Sequence, residues 1–100
     1  MDADEIRALL GEPIFERVKK YRRRIQQSTC TVNADGVRHI SAMVQGSGGS
    51  YYYTQAWLRE NGSFVSASCS CPYNQNGEGT YCKHIGALLL DDAEKNAPAP

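Results

Sequence analysis

Phe64-Val65-Ser66-Ala67-Ser68-Cys69-Ser70-Cys71 leads, after ten intervening residues, into Cys82-Lys83-His84-Ile85-Gly86-Ala87-Leu88-Leu89-Leu90. The first half reads as a strand. Alternate side chains of a strand share a face, so Cys69 and Cys71 point the same way. The second half reads as a helix of strong formers, opened by Cys82 and His84. Gly77 and Gly79, in the polar stretch between, permit the chain reversal that brings the halves together. Three thiolates and one imidazole form a closed tetrahedral donor set, as expected for structural zinc. Soft sulfur with nitrogen disfavours magnesium and calcium. Four protein ligands leave no open position for a catalytic water, so the expected role is structural.

Two other uses of these cysteines stand beside zinc. A disulfide framework belongs to an oxidising compartment. Met1-Asp2-Ala3-Asp4-Glu5 is acidic and does not open into the basic, then apolar, pattern of a secretory signal. Two cysteines separated by a single residue bridge each other only with strain. A redox pair usually has two residues between its thiols, and this spacing has one. Cys30 lies far off in a strand and is expected to be a small buried apolar residue, not a fifth ligand. His39 is expected to be exposed or half-buried, without a metal or catalytic role.

The surrounding elements follow from periodicity. Asp4–Leu10 reads as a short helix stopped by Gly11. Pro13 fits the first turn of a second helix, expected to run to about Gln27 with Ile14, Val18, Tyr21 and Ile25 on one stripe. From Ser28 the period becomes two. Thr29–Val32, Val37–Val44, Tyr51–Arg59 and Phe64–Cys71 are expected strands, with Ile40, Ala42 and Val44 on one face. Asn33-Ala34-Asp35-Gly36 and Gly46-Ser47-Gly48-Gly49-Ser50 are loops. Asn61-Gly62 predicts a type I′ hairpin turn. The last helix is expected over Ile85 to about Ala93. The fold class is α+β: a small four-stranded antiparallel sheet with N-terminal helices and a C-terminal helix pinned by zinc. One domain is expected over residues 1–94, its finger proper 64–91, followed by a flexible tail or linker start over 95–100.

Charge narrows the function. The 100 residues carry 11 Lys+Arg and 11 Asp+Glu, so the formal net charge is zero and a globally basic, histone-like protein is excluded. The basic residues are nonetheless clustered. Arg17, Lys19, Lys20, Arg22, Arg23 and Arg24 fall within two turns of the second helix, and Lys83 lies between two of the candidate ligands. Such a face would meet phosphates, although a solvated helix face is the commoner meaning of a charge run. The candidate nucleic-acid residues are Arg17, Lys20, Arg22, Arg23, Arg24 and Lys83. Tyr51, Tyr53 and Trp57 share a strand face and are read as packing residues ahead of base-stacking ones. No apolar run approaches the roughly 20 residues of a membrane span. There is no phosphate-loop signature and no Gly-x-Ser-x-Gly elbow, so neither catalysis nor a small-molecule substrate is expected.

Cys69-Ser70-Cys71-Pro72-Tyr73 with Cys82-Lys83-His84 and the helix to Leu90 resembles the SWIM zinc finger. That family occurs in bacterial Swi/Snf-type ATPases, Mutator-type plant transposases and some eukaryotic signalling proteins. Ile14-Phe15-Glu16-Arg17, Tyr21 and Ala42-Met43-Val44-Gln45-Gly46-Ser47 are similar to the region preceding bacterial SWIM fingers. The bacterial pattern often has Gly after that arginine, where this chain has Val18. The resemblance implies one structural zinc held by Cys69, Cys71, Cys82 and His84. It implies binding of DNA, another nucleic acid or a protein, with an adjoining ATPase domain as one such partner. It implies no catalysis by the finger. The expected location is cytoplasmic, in a bacterial cytosol or nucleoid.

Overall fold

The computed structural model describes residues 1–72 and 81–95. Among these residues, three helices and four strands are bounded, in the order α1 (Ala3–Leu10), α2 (Glu12–Arg22), β1 (Ile25–Val32), β2 (Arg38–Gln45), β3 (Tyr51–Leu58), β4 (Phe64–Cys69) and α3 (Lys83–Lys95). The expected α+β class is what the chain adopts. Gly77, Gly79 and Asn96–Pro100 lie outside the described residues, with the loop and tail readings made for them.

The strands form one antiparallel meander in the order β1-β2-β3-β4. Its three hairpin loops, 33–37, 46–50 and 59–63, are closed by the same hydrogen-bond pair. The first residue's N–H donates to the fifth residue's carbonyl at 3.0, 2.8 and 2.8 Å, and the fourth's N–H donates to the first's carbonyl at 3.1, 3.1 and 2.8 Å. The fourth residue is Gly36, Gly49 or Gly62, with φ of 81, 89 and 89°. This is the three-residue hairpin loop, in which one left-handed glycine re-enters the ladder as a bulge. The type I′ turn expected at Asn61-Gly62 is therefore corrected. That turn needs positive φ at both residues, and Asn61 has none; its side chain instead accepts from the Ser63 N–H at 2.9 Å.

Helix α1 is fixed at its start by a reciprocal cap between Asp2 and Glu5. Gly11 then separates α1 from α2 with φ 87° and ψ 154°, a conformation open essentially to glycine alone. Helix α2 ends at Arg22, five residues before the expected Gln27. Ile25 and Gln26 instead pair with Val44 and Met43 of β2. The ladder then breaks between Gln26 and Thr29, where Gln27 takes φ 54° and the edge strand bulges. The buried stripe of α2 is Phe15, Val18 and Tyr21.

The layers are sheet, then α3, then α1 and α2, because α3 contacts β2, β3 and β4 while α1 and α2 pack on α3. Ile40, Ala42 and Val44 of β2, with Ala56 and Leu58 of β3, meet Ile85, Leu88 and Leu89 of α3 in a single core. The other side of α3 meets Ile6, Leu10, Phe15 and Val18. The helices approach closely at Gly86, where an added Cβ would lie 2.5 Å from Leu10 Cδ1 and 2.5 Å from Val18 Cγ2. Cys30 sits on the edge strand β1 and is exposed, which corrects its expected burial. It pairs with the core residue Ile40, yet α3 packs mainly on β2, β3 and β4. His39 is half-buried as expected, bonded through Nε2 to Gln55 Oε1 at 2.9 Å and stacked on Trp57. Among the described residues, no helix is long and apolar enough to cross a membrane.

Candidate metal centre

Four side chains from two elements converge in the core. Cys69 ends β4 and Cys71 follows two residues on, so both thiols face inward. Cys82 and His84 open α3. All four are buried, and their donor atoms lie within 4.8 Å of one another. His84 Nδ1 is 3.7 Å from Cys69 Sγ and 3.7 Å from Cys82 Sγ. A tetrahedral zinc with ordinary bond lengths separates sulfur from nitrogen by about 3.6 Å and two sulfurs by about 3.8 Å. The sulfur–nitrogen pairs already have that spacing. No disulfide joins any of the four cysteines.

The local backbone prepares these sulfurs to be thiolates. The Ile85 N–H donates to Cys82 Sγ, so Cys82 serves as a sulfur cap on the first turn of α3. The Cys71 N–H and the Thr54 hydroxyl, 3.3 Å away, reach Cys69 Sγ. Without metal, the Cys82 thiol donates to Cys69 and brings the Cys69 pKa down to about 4, against burial and aided by His84. The same shared proton, with burial, pushes the Cys82 thiol well above its ordinary value. A zinc ion held by these residues would take the place of that proton, because thiolate binding of zinc releases protons. The donor chemistry and the spacing fit zinc.

His84 is fixed by aromatic walls. The Tyr21 ring meets it edge-on at 5.2 Å between centroids, and the Tyr52 ring lies tilted at 5.1 Å. With Nδ1 turned to the thiols, Nε2 turns toward Gly46, where an added Cβ would lie 3.6 Å from it and 2.6 Å from Tyr52 Cε2. Tyr21, Tyr52 and Gly46 lie far from the Cys/His pattern in sequence. The pattern gave no signal for their role, although the strand alternation had already separated Tyr52 from Tyr51 and Tyr53.

The expected basic residues divide into groups. Arg22 pairs with Glu94 of α3. Arg24 lies 4.8 Å and Lys83 Nζ 4.7 Å from the Tyr21 ring centroid. Lys83 also bonds the Tyr21 hydroxyl and draws its pKa below the ordinary value, with burial opposing and Ser47 adding. Arg17, Lys19, Lys20 and Arg23 are exposed and make no ion pair among the described residues. The stripe of α2 packs on α3, not on the sheet, but the basic side still faces water.

A four-ligand Cys/His cluster between a strand end and a helix start defines the class of small zinc-finger domains. Within the chain, residues 52–92 match the family model of the SWIM zinc finger. Over those residues the chain is similar to the SWIM zinc finger, as the resemblance of its Cys/His pattern had implied, and its four donors are grouped as a possible zinc site. No curated protein and no solved structure matches it.

Proposed function

We propose that Cys69, Cys71, Cys82 and His84 hold one structural zinc ion and that the domain is a nucleic-acid interaction module carried by a larger Swi/Snf-type ATPase. The observation that carries the nucleic-acid reading is the exposed cationic flank of α2. Arg17, Lys19, Lys20 and Arg23 stand there without ion-pair partners among the described residues, beside Arg24 and Lys83. Fixed cations on a rigid helix suit the phosphate backbone, and their contribution falls as salt rises. The ATPase context rests on the similarity of residues 14–47 to the region before bacterial SWIM fingers, and a cytosolic or nucleoid location follows from that context. A closed donor set assigns the metal no reaction, so no catalysis is proposed.

A salt titration of binding to generic duplex and single-stranded DNA tests this reading. The expected result is affinity that falls steeply with salt and is largely lost when Arg17, Lys20 and Arg23 are changed to glutamine. Absence of binding at low salt eliminates it. A second reading has its own observation. The open sheet face carries Tyr51, Tyr53 and Trp57, in register with Gln45, Met43, His39 and Ser66 and with no Asp, Glu, Lys or Arg. Such a face suits a protein partner, and the second reading is a purely protein-binding module.

A further inference from the structure

Beside the metal centre is a cleft of about 190 Å³ between α2, the β2–β3 loop and the start of α3. Arg17, Gly46, Ser47, Tyr52, Lys83 and His84 are among its walls. Three features of these walls agree in sign. Arg17 and Lys83 bring two cations, and no aspartate or glutamate lines the cleft among the described residues. The cleft lies at the N-terminus of α3, a 13-residue helix, where the positive end of the helix dipole favours an anion. His84 is 3% exposed, and its Nε2 has no hydrogen-bond partner. Once Nδ1 is committed to a metal, the neutral ring carries its proton on Nε2. That nitrogen becomes a donor without an acceptor, and a ligated histidine ordinarily has an acceptor for its second nitrogen. Zinc with three thiolates is formally −1, so the two cations leave a local excess of one positive charge.

From this geometry we propose that the cleft seats one phosphate group. It is the fixed contact point for a backbone phosphate, and in that respect it rests on the nucleic-acid reading above. Lys83 and Arg17 supply the charge, and the Ser47 hydroxyl supplies a directional donor. The space far exceeds what one water needs. Lys83 lines the cleft and its Nζ lies 4.7 Å from the Tyr21 ring centroid, so this cation has a protein contact beside the cleft.

The test uses the zinc-loaded full chain labelled with ¹⁵N. Inorganic phosphate is titrated against chloride at constant ionic strength, and amide shifts of Gly46, Ser47 and Lys83 are followed. Saturable shifts at these amides are expected, and Arg17→Gln and Lys83→Gln should each weaken binding about tenfold. Lys19→Gln removes the same charge from α2 and should leave phosphate binding unchanged. Bound zinc is measured for every variant. No saturable shift, or equal weakening by Lys19→Gln, overturns the seat. A short oligothymidylate forms the second arm. If it moves the same amides, the seat takes a backbone phosphate. If phosphate binds there and the oligonucleotide binds nowhere, the seat stands as a free-phosphate site and the nucleic-acid reading falls. If the oligonucleotide shifts only Lys19, Lys20 and Arg23 and phosphate leaves the cleft amides still, the seat falls and the nucleic-acid reading survives.

Discussion

Gly86 is a point of close approach between α3 and the two N-terminal helices, and replacing it tests whether that contact is as tight as described. In Gly86→Ala the new Cβ meets Leu10 Cδ1 and Val18 Cγ2, each at 2.5 Å, and both residues are buried, at 5% and 0% exposure. Valine in a helix has one strongly preferred rotamer, so Val18 cannot swing aside freely. Overpacking of a closed core costs about 1–3 kcal/mol. Alanine in a helix interior returns about 1 kcal/mol relative to glycine. The net expectation is destabilisation of about 1 kcal/mol, which lowers a urea midpoint by about 0.3–1 M. The sign alone is a weak test, so the cycle with Leu10→Ala is decisive. Leu10→Ala by itself should cost about 2–5 kcal/mol through the cavity it leaves. In the double variant the new methyl group occupies part of that cavity. The combined loss should fall short of the sum by about 1–2 kcal/mol. Urea unfolding at fixed free zinc measures all four proteins, since metal binding to the native state adds its own linkage. A stabilised Gly86→Ala, or an additive double variant, refutes the close approach.

The metal assignment predicts that Cys82→Ser loses zinc and that Cys30→Ser, on the exposed edge strand, keeps one ion per chain; metal analysis after desalting checks both. Chelation of the wild-type chain should remove amide protection across residues 64–72 and 81–90, because structural zinc can contribute about 10 kcal/mol or more to small fingers, and an unchanged amide spectrum would contradict this. Arg38 donates to both carboxylate oxygens of Asp92, at 3.0 and 2.8 Å, across the β2–α3 contact. Asp92→Ala should cost about 1–3 kcal/mol in chemical unfolding, whereas Glu94→Ala, which frees the exposed Arg22, should cost under about 0.5 kcal/mol. Gly49 has φ 89° with open space around it, so Gly49→Ala should cost about 1–2 kcal/mol of backbone strain alone, while Gly48→Ala should stay within about 0.5 kcal/mol by thermal melting.

Short-range patterns carried most of the fold. Alternation placed Ile40, Ala42 and Val44 toward the core and put Cys69 and Cys71 on a common face, because strand periodicity is a local property. The end of α2 was not local. Arg23-Arg24-Ile25-Gln26-Gln27 suits a helix by propensity and continues its apolar stripe. Pairing of Ile25 and Gln26 with β2 overrides that preference, and nothing within the segment announces a partner some 18 residues away. Cys30 failed for a related reason. Its alternation is correct, since it lies opposite Ile40, but burial depends on how far α3 reaches across the sheet. At Asn61-Gly62 the dipeptide located the hairpin and misnamed its turn, because one left-handed glycine closes a three-residue loop equally well. The metal centre was legible in its four donors and not in the walls around His84, which come from α2, the end of β2 and β3.

Those walls bear on portability. The segment that matches the family model begins at residue 52, yet Tyr21 and Gly46 precede it and frame the ligand imidazole. A cassette cut at that boundary and grafted elsewhere would carry every donor atom and leave part of the histidine's housing behind. In this chain the surroundings of the ligand histidine extend beyond its motif: Tyr21 belongs both to the hydrophobic interior and to the wall of that imidazole.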